Sequence, residues 1–184
     1  YRDTPITYHT QTNQLGSGHA LMQARDGPRG SFLLVNGDQV IDSEIVKAVS
    51  TAHDTTATLS IVEGAEADSY GAVKVADDEI TTLTEQPASG EFRLFNAGVY
   101  AFTQEIFETL ETLSVDRGEL PLTDAIQALI DDETQTVSGV RTDSFWMDAT
   151  HPWDLLSLAR ELLGRGWVEP AADSDGCYVA DTAH

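Results

Sequence analysis

The 184 residues are enough for one α/β domain with a core of its own. Against 10 basic residues stand 31 acidic ones, a formal charge of -21 scattered along the chain; such a surface repels nucleic acid, suits a salt-rich cytoplasm and welcomes divalent cations. The lone cysteine, Cys177, excludes a disulfide framework within the chain, and no apolar run reads as a membrane span or a signal peptide, so the cytoplasm is the default compartment.

Ile6 to Thr10 alternates with β-branched and aromatic residues and predicts a short strand. Gln11 to Gly18 is a polar loop, and His19 to Arg25 a short helix ended by Gly27-Pro28. Ser31 to Val35 is nearly all apolar and turns at Asn36-Gly37. That pattern predicts a strand buried on both faces of a parallel sheet, with Asp38 at its carboxyl end. Asp42 or Ser43 caps a helix through Ser50, and Thr56 to Val62 is a second core strand. The three form a strand–helix–strand unit expected to cross over right-handed. Past Asp68-Ser-Tyr-Gly71 come two short strands, Ala72–Val75 and Ile80–Glu85, joined at Asp77-Asp78. Phe92 to Phe102 is β-rich, with Gly98 marking a bulge or a close backbone approach. Thr103–Leu113 and Leu122–Ile130 are amphipathic helices, the second starting near Thr123 or Asp124. Thr134–Val140 alternates as a strand, Ser144–Met147 is a short apolar segment ending at Asp148, and Pro152–Leu163 is a helix with Pro152 in its first turn. Residues 1–165 thus read as one core and residues 166–184 as a linker and tail. The segment Tyr178–His184 is either a fraying end or the first rung of a β-helix.

Several constellations can carry chemistry. Asp38 and Asp148 both end apolar segments. They are either two carboxylates meeting to hold a hard divalent cation, or two unrelated surface acids in an acid-rich chain. Gln11, Gln14, Gly16 and Ser17 lie in a loop whose amides can read a base edge and whose glycines let backbone approach it; an ordinary loop is the other reading. Glu85 and Asn96 fall on neighbouring strands, as a clamp for sugar hydroxyls or as a cross-strand surface pair. His19 and His151 have no cysteine or second histidine at ligand spacing and read as non-metal residues.

From about Thr7 to Leu163 these segments resemble, in order, the sugar-1-phosphate nucleotidyltransferase family. The family's nucleobase loop, Gln-x-x-x-x-Gly-Thr-Gly/Ala-x-Ala, is similar to Gln11 through Ala20, and its metal-binding Gly-Asp to Gly37-Asp38. The Tyr-Gly of its sugar site is similar to Tyr70-Gly71, its Glu-Lys-Pro to Glu85-Gln86-Pro87, its Asn-x-Gly-Val/Ile-Tyr to Asn96 through Tyr100, and its Trp-x-Asp to Trp146-Met-Asp148. The resemblance implies a Rossmann-like three-layer mixed sheet flanked by helices, of the GT-A-like kind. It implies that a nucleotidyl group passes from a nucleoside triphosphate to a sugar 1-phosphate, giving an NDP-sugar and pyrophosphate. It assigns Mg2+ to Asp38 and Asp148, the nucleotide to Gln11, Gln14, Gly16 and Ser17, and the sugar to Tyr70, Gly71, Glu85 and Asn96, and it names no catalytic side chain.

Two departures bear on this. The family's glycine-rich Gly-x-Gly-x-Arg triphosphate loop has no counterpart here, and the lysine of Glu-Lys-Pro is Gln86. The chain starts at Tyr1 without a methionine, so the expectation is a piece of a longer protein, inactive by itself, with the loop upstream. A tail entering a left-handed β-helix and a homo-oligomer of the full-length protein are both compatible with the resemblance. The rival reading is a non-catalytic module that senses sugar nucleotides.

Overall fold

A computed structural model describes residues 4–64, 70–85, 87, 92–113 and 118–167. In chain order the elements are α1 (Ser17–Met22), β1 (Phe32–Val35), β2 (Gln39–Ile41), α2 (Ser43–Ala52), β3 (Ala57–Glu63), β4 (Gly71–Ala76), β5 (Glu79–Glu85), β6 (Leu94–Phe102), α3 (Glu105–Thr112), α4 (Leu122–Asp131), β7 (Val137–Arg141), β8 (Trp146–Asp148) and α5 (Asp154–Gly164). They fall into two compact units. One comprises the chain up to Asn36 with Ile41–Phe145, the other Gly37–Val40 with the chain from Trp146 onward.

The first unit is built on a six-stranded mixed sheet in the order β1-β6-β3-β7-β5-β4. β6 is its spine: eight of its nine residues are buried. Tyr100 and Phe102 join a core cluster with Leu21 of α1, Ile106, Phe107 and Leu110 of α3, and Ile126 and Leu129 of α4. Val99 and Ala101, which alternate with them, are buried outside that cluster, as are Ile45 and Val49 of α2. Side chains of a strand alternate between faces, so helices cover the sheet on both sides and the expected layered α/β architecture is present. β4 and β5 form a hairpin through Asp77-Asp78, both at positive φ (50° and 67°). Two positive φ values at the central positions give a turn whose twist matches the strands it joins.

The sequence pattern misassigned the doubly buried strand. β1 is an edge strand of the described sheet, antiparallel to β6, and its residues alternate between half-buried and exposed. Leu33 and Val35 are 42% and 44% exposed. Its even-numbered residues carry the packing: Phe32 stands opposite Phe102 and stacks on Phe107 at 5.4 Å. A short apolar run cannot say which of two strands is central, because that depends on which neighbours pair with it. β1 and β3 both pair antiparallel with β6 between them, so they are not adjacent parallel strands, and β3–β7 is the parallel pair of this sheet. Residues 6–10 form no strand; Tyr8 is 87% exposed. The short helix begins earlier than its pattern predicts, at Ser17, and α5 begins after Pro152, at Asp154. Asp42 caps α2, its Oδ1 accepting the Glu44 N–H at 3.0 Å.

In the second unit α5 is the main element, and the two-stranded sheet of β2 with β8 was not anticipated. Among the described residues no helix is long and apolar enough to cross a membrane. Gln86, Asp68, Ser69 and the tail Tyr178–His184 lie outside the described residues.

Candidate functional site

Asp38 and Asp148 come together through backbone pairing. The Ala149 N–H donates to the Asp38 carbonyl at 2.8 Å, so the turn after β1 lies beside the end of β8. Asp38 is exposed and Asp148 half-buried, with its Oδ2 accepting the Thr150 hydroxyl at 2.8 Å. Among the described residues no group of three or more acids, histidines or cysteines forms a complete metal cage. Two carboxylates with water and substrate oxygens making up the shell suit a hard cation.

The polar loop is held by its own side chains. The Gln11 amide nitrogen donates to the Gly16 carbonyl at 3.0 Å and lies 2.9 Å from His19 Nδ1. Gly16 has φ 94°, and a Cβ there would lie 2.8 Å from the Leu120 carbonyl oxygen. A Cβ on Gly18 would meet the same oxygen at 2.8 Å and Leu110 Cδ2 at 2.7 Å. The Gly18 N–H donates to that carbonyl at 2.9 Å, and the Leu120 N–H returns a bond to Leu15. Both glycines therefore serve a close approach between two backbones. Ser17 Oγ accepts the Leu122 N–H at 3.0 Å, satisfying an end-of-helix donor of α4, whose cap position is Pro121 and offers no side-chain oxygen. Gln14 is exposed.

The four sugar-site candidates share one region. Gly71 and Glu85 are directly opposite in the β4–β5 ladder. Ala72 pairs with Phe95 on β6, which brings Asn96 alongside: a Cβ on Gly71 would lie 3.9 Å from Asn96 Cβ. Tyr70 stacks on Phe95 with ring centres 4.9 Å apart. Asn96 Nδ2 donates to Tyr100 OH at 2.6 Å, and Asn96 Oδ1 accepts the Gly98 N–H at 3.0 Å. That second bond sits in a bulge. Between the pairs Leu59–Tyr100 and Ile61–Asn96 the register shifts, Gly98 takes φ 71°, and the Val99 N–H turns to Ser60 Oγ at 3.2 Å. Asn96 thus shapes the bulge, and among the described residues its second amide proton has no partner.

Sequence reasoning missed the segment that joins these two regions. Leu120 receives the loop glycines, Leu122 receives Ser17, and the next residue, Thr123, puts its methyl 3.6 Å from where a Gly71 Cβ would be. The available signal was a threonine in the first turn of a helix whose cap is proline. Two grooves among the described residues of the first unit include no candidate residue. One, of about 350 Å3, is lined by Phe32, Leu33 and His53, and the other, of about 280 Å3, by Glu105, Glu108 and Asp132. Burial pushes the His53 imidazole below its ordinary pKa. The Thr103 hydroxyl holds Glu105 low, as the Thr134 N–H and hydroxyl do Asp132.

Residues 2–164 match the family model described as Nucleotidyl transferase. The chain is 35% identical over 170 residues, 90% of its own length, to the bifunctional protein GlmU of Methanococcus maripaludis, and 32% identical over 84% of its length to the UTP–glucose-1-phosphate uridylyltransferase AglF of Haloferax volcanii. It spans 40% of the first relative and 65% of the second. The fold is similar to a crystal structure of a putative glucose-1-phosphate thymidylyltransferase from Bacillus anthracis, with a TM-score of 0.73 at 21% identity, over 84% of this chain and 65% of that one.

Proposed function

We propose a function from one premise: the chain belongs to the nucleotidyl transferase family. The protein joins a nucleoside triphosphate to a sugar 1-phosphate. An oxygen of the sugar phosphate attacks the α-phosphorus, the bond from that phosphorus to the bridging oxygen breaks, and pyrophosphate leaves with an NDP-sugar as the other product. The observation that carries this reading is the gathering of Gly71, Glu85 and Asn96, from three strands, into one corner. Glu85 supplies an acceptor for sugar hydroxyls and Asn96 a donor, while the loop at Gln14, Gly16 and Ser17, braced by Gln11, receives the nucleotide. Such chemistry rests on positioning two anionic substrates.

Asp38 and Asp148 would hold the Mg2+ ion, and the donor set fits it: two carboxylates beside one backbone pairing, with no third acid required of the protein. When bound, the ion neutralises phosphate charge. Phosphorylated substrates and an acidic surface suit a cytoplasmic enzyme adapted to salt, for which UTP is the first nucleotide to try, as in the Haloferax relative's name.

The test is pyrophosphate release by the full-length protein with Mg2+, a panel of nucleoside triphosphates and a panel of hexose 1-phosphates. Asp38 is exposed, so Asp38→Asn should leave the melting temperature in place while kcat falls by about 100-fold or more. An unchanged kcat would remove Asp38 from the metal site, and no turnover by the wild type with any pair would overturn the reading.

A further inference from the structure

The two-stranded sheet carries a polar group that the fold leaves unused. Gln39 opens β2, and its Oε1 is buried with no hydrogen-bond partner among the described residues. An unpaired buried acceptor costs stability, and leucine would fill much the same volume without that cost. Packing alone therefore gives no reason for an amide at this position.

Backbone pairing shows what the amide lies beside. The Ala149 N–H donates to the Asp38 carbonyl at 2.8 Å, and the Asp42 N–H donates to the Phe145 carbonyl at 2.8 Å. These two bonds make β2 and β8 antiparallel and set their register, which places Gln39 opposite Asp148. The two fall between hydrogen-bonded positions of the ladder, where opposed side chains stand closest, and they share one face of it. Asp38 stands in the turn just ahead of β2, where strand alternation does not set its direction. Gln39 is thus the chain neighbour of one proposed metal ligand and the cross-strand neighbour of the other.

An amide oxygen and a carboxylate on one face are two acceptors side by side, with no proton to exchange. A cation answers both. The Thr150 hydroxyl already donates to Asp148 Oδ2 at 2.8 Å, a contact that orients the carboxylate. Hard divalent cations take oxygen donors, amide carbonyls among them, and Mg2+ lies about 2.1 Å from its oxygens, nearer than a water molecule can. Shielding from water therefore does not bar the ion from Gln39 Oε1. An uncharged third donor also suits two carboxylates in a chain of formal charge -21, because it adds an oxygen without adding repulsion. Resting on the Mg2+ site proposed above, we infer that Gln39 is a further metal-binding residue, its Oε1 serving as a third protein oxygen beside Asp38 and Asp148.

The experiment titrates the full-length protein with Mn2+, which takes the same oxygen donors and is read by its electron paramagnetic resonance signal, with no nucleotide or sugar phosphate present. Melting temperatures are measured without the ion and at one fixed concentration of it. Gln39→Leu should weaken Mn2+ binding about tenfold. Without the ion its melting temperature should hold or rise, since an orphaned acceptor is gone, while the increase that Mn2+ gives the wild type should shrink. Gln39→Glu sets an anionic oxygen at the same position and should bind Mn2+ at least as tightly as the wild type. Unchanged Mn2+ affinity in Gln39→Leu overturns the inference. So does weakened binding by Gln39→Glu, which would turn the amide NH2 group toward Asp148 in place of the oxygen. Should the leucine variant fail to fold, Gln39→Met read by the same titration decides. A wild type that takes up no Mn2+ sinks the metal site and this inference with it. Turnover is read separately: Mn2+ binding that depends on Gln39 in a protein that joins no substrate pair upholds this inference and sinks the proposed function alone.

Discussion

The loop at Gln11–Gly18 and the corner at Gly71 both place glycine where a ligand is proposed, yet the glycines answer different demands. At Gly16 and Gly18 the Leu120 carbonyl stands 2.8 Å from any added Cβ. No real Cβ tolerates that distance, so these glycines are required by the fold. At Gly71 the nearest atom would be 3.4 Å away, an ordinary contact, so the fold does not demand glycine there. The same division runs through the polar groups. Gln11 and Ser17 spend their side chains on the loop and on α4, whereas Thr123 Oγ1 is buried with no hydrogen-bond partner among the described residues. A glycine in a binding motif is therefore not by itself a sign of ligand approach; the distance to the atoms a Cβ would meet separates the two cases.

The sharpest way to break this comparison is to add one methyl to each region. Gly18→Ala drives a Cβ into backbone and should cost about 2 kcal/mol or more of stability, read as a lower denaturation midpoint. Gly71→Ala should stay within about 1 kcal/mol of wild type and instead raise KM for the sugar phosphate. Equal stability losses at the two sites would erase the distinction. A smaller effect is expected from Ser17→Ala. Removing the oxygen that receives the Leu122 N–H should cost about 1 kcal/mol, as for other lost helix caps, and an unchanged midpoint would show that water serves that donor as well.

Salt should act on both regions alike and on neither in particular. With 31 acidic against 10 basic residues, self-repulsion acts over the whole surface. The pairs Arg25–Glu111 and Lys47–Glu44 are exposed, and such pairs contribute little. The melting temperature should rise by a few degrees between dilute and molar monovalent salt as screening sets in. A flat or falling curve would contradict this.

Much of the fold was legible because local rules agreed with the tertiary outcome. The β4–β5 hairpin followed from alternation around Asp77-Asp78, α2 from Asp42 and the spacing of Ile45 and Val49, and α3 and α4 from their apolar stripes. The errors have one source. Ser31–Val35 and Phe92–Phe102 are both apolar runs, and only pairing decided that β6 is central and β1 marginal. Ile6–Thr10 has a strand's composition but no ladder. Composition records what a segment can bury, and the number of neighbours it finds is set by the rest of the chain.

The candidate site divides the same way. By itself the sequence determined which residue types stand at which motif positions: Asp38, Asp148, Gly71, Glu85, Asn96 and the loop from Gln11 to Ser17. It also determined the acidic surface, since charge is additive along a chain. Only the tertiary structure decided that Leu120, Leu122 and Thr123 join the loop to the corner, that Asn96 braces a bulge as well as facing Gly71, and that Gly16 and Gly18 are spent on packing. The reason is physical: these facts are distances between atoms remote in sequence, and such a distance is fixed by how strands pair and helices pack, which no single segment encodes.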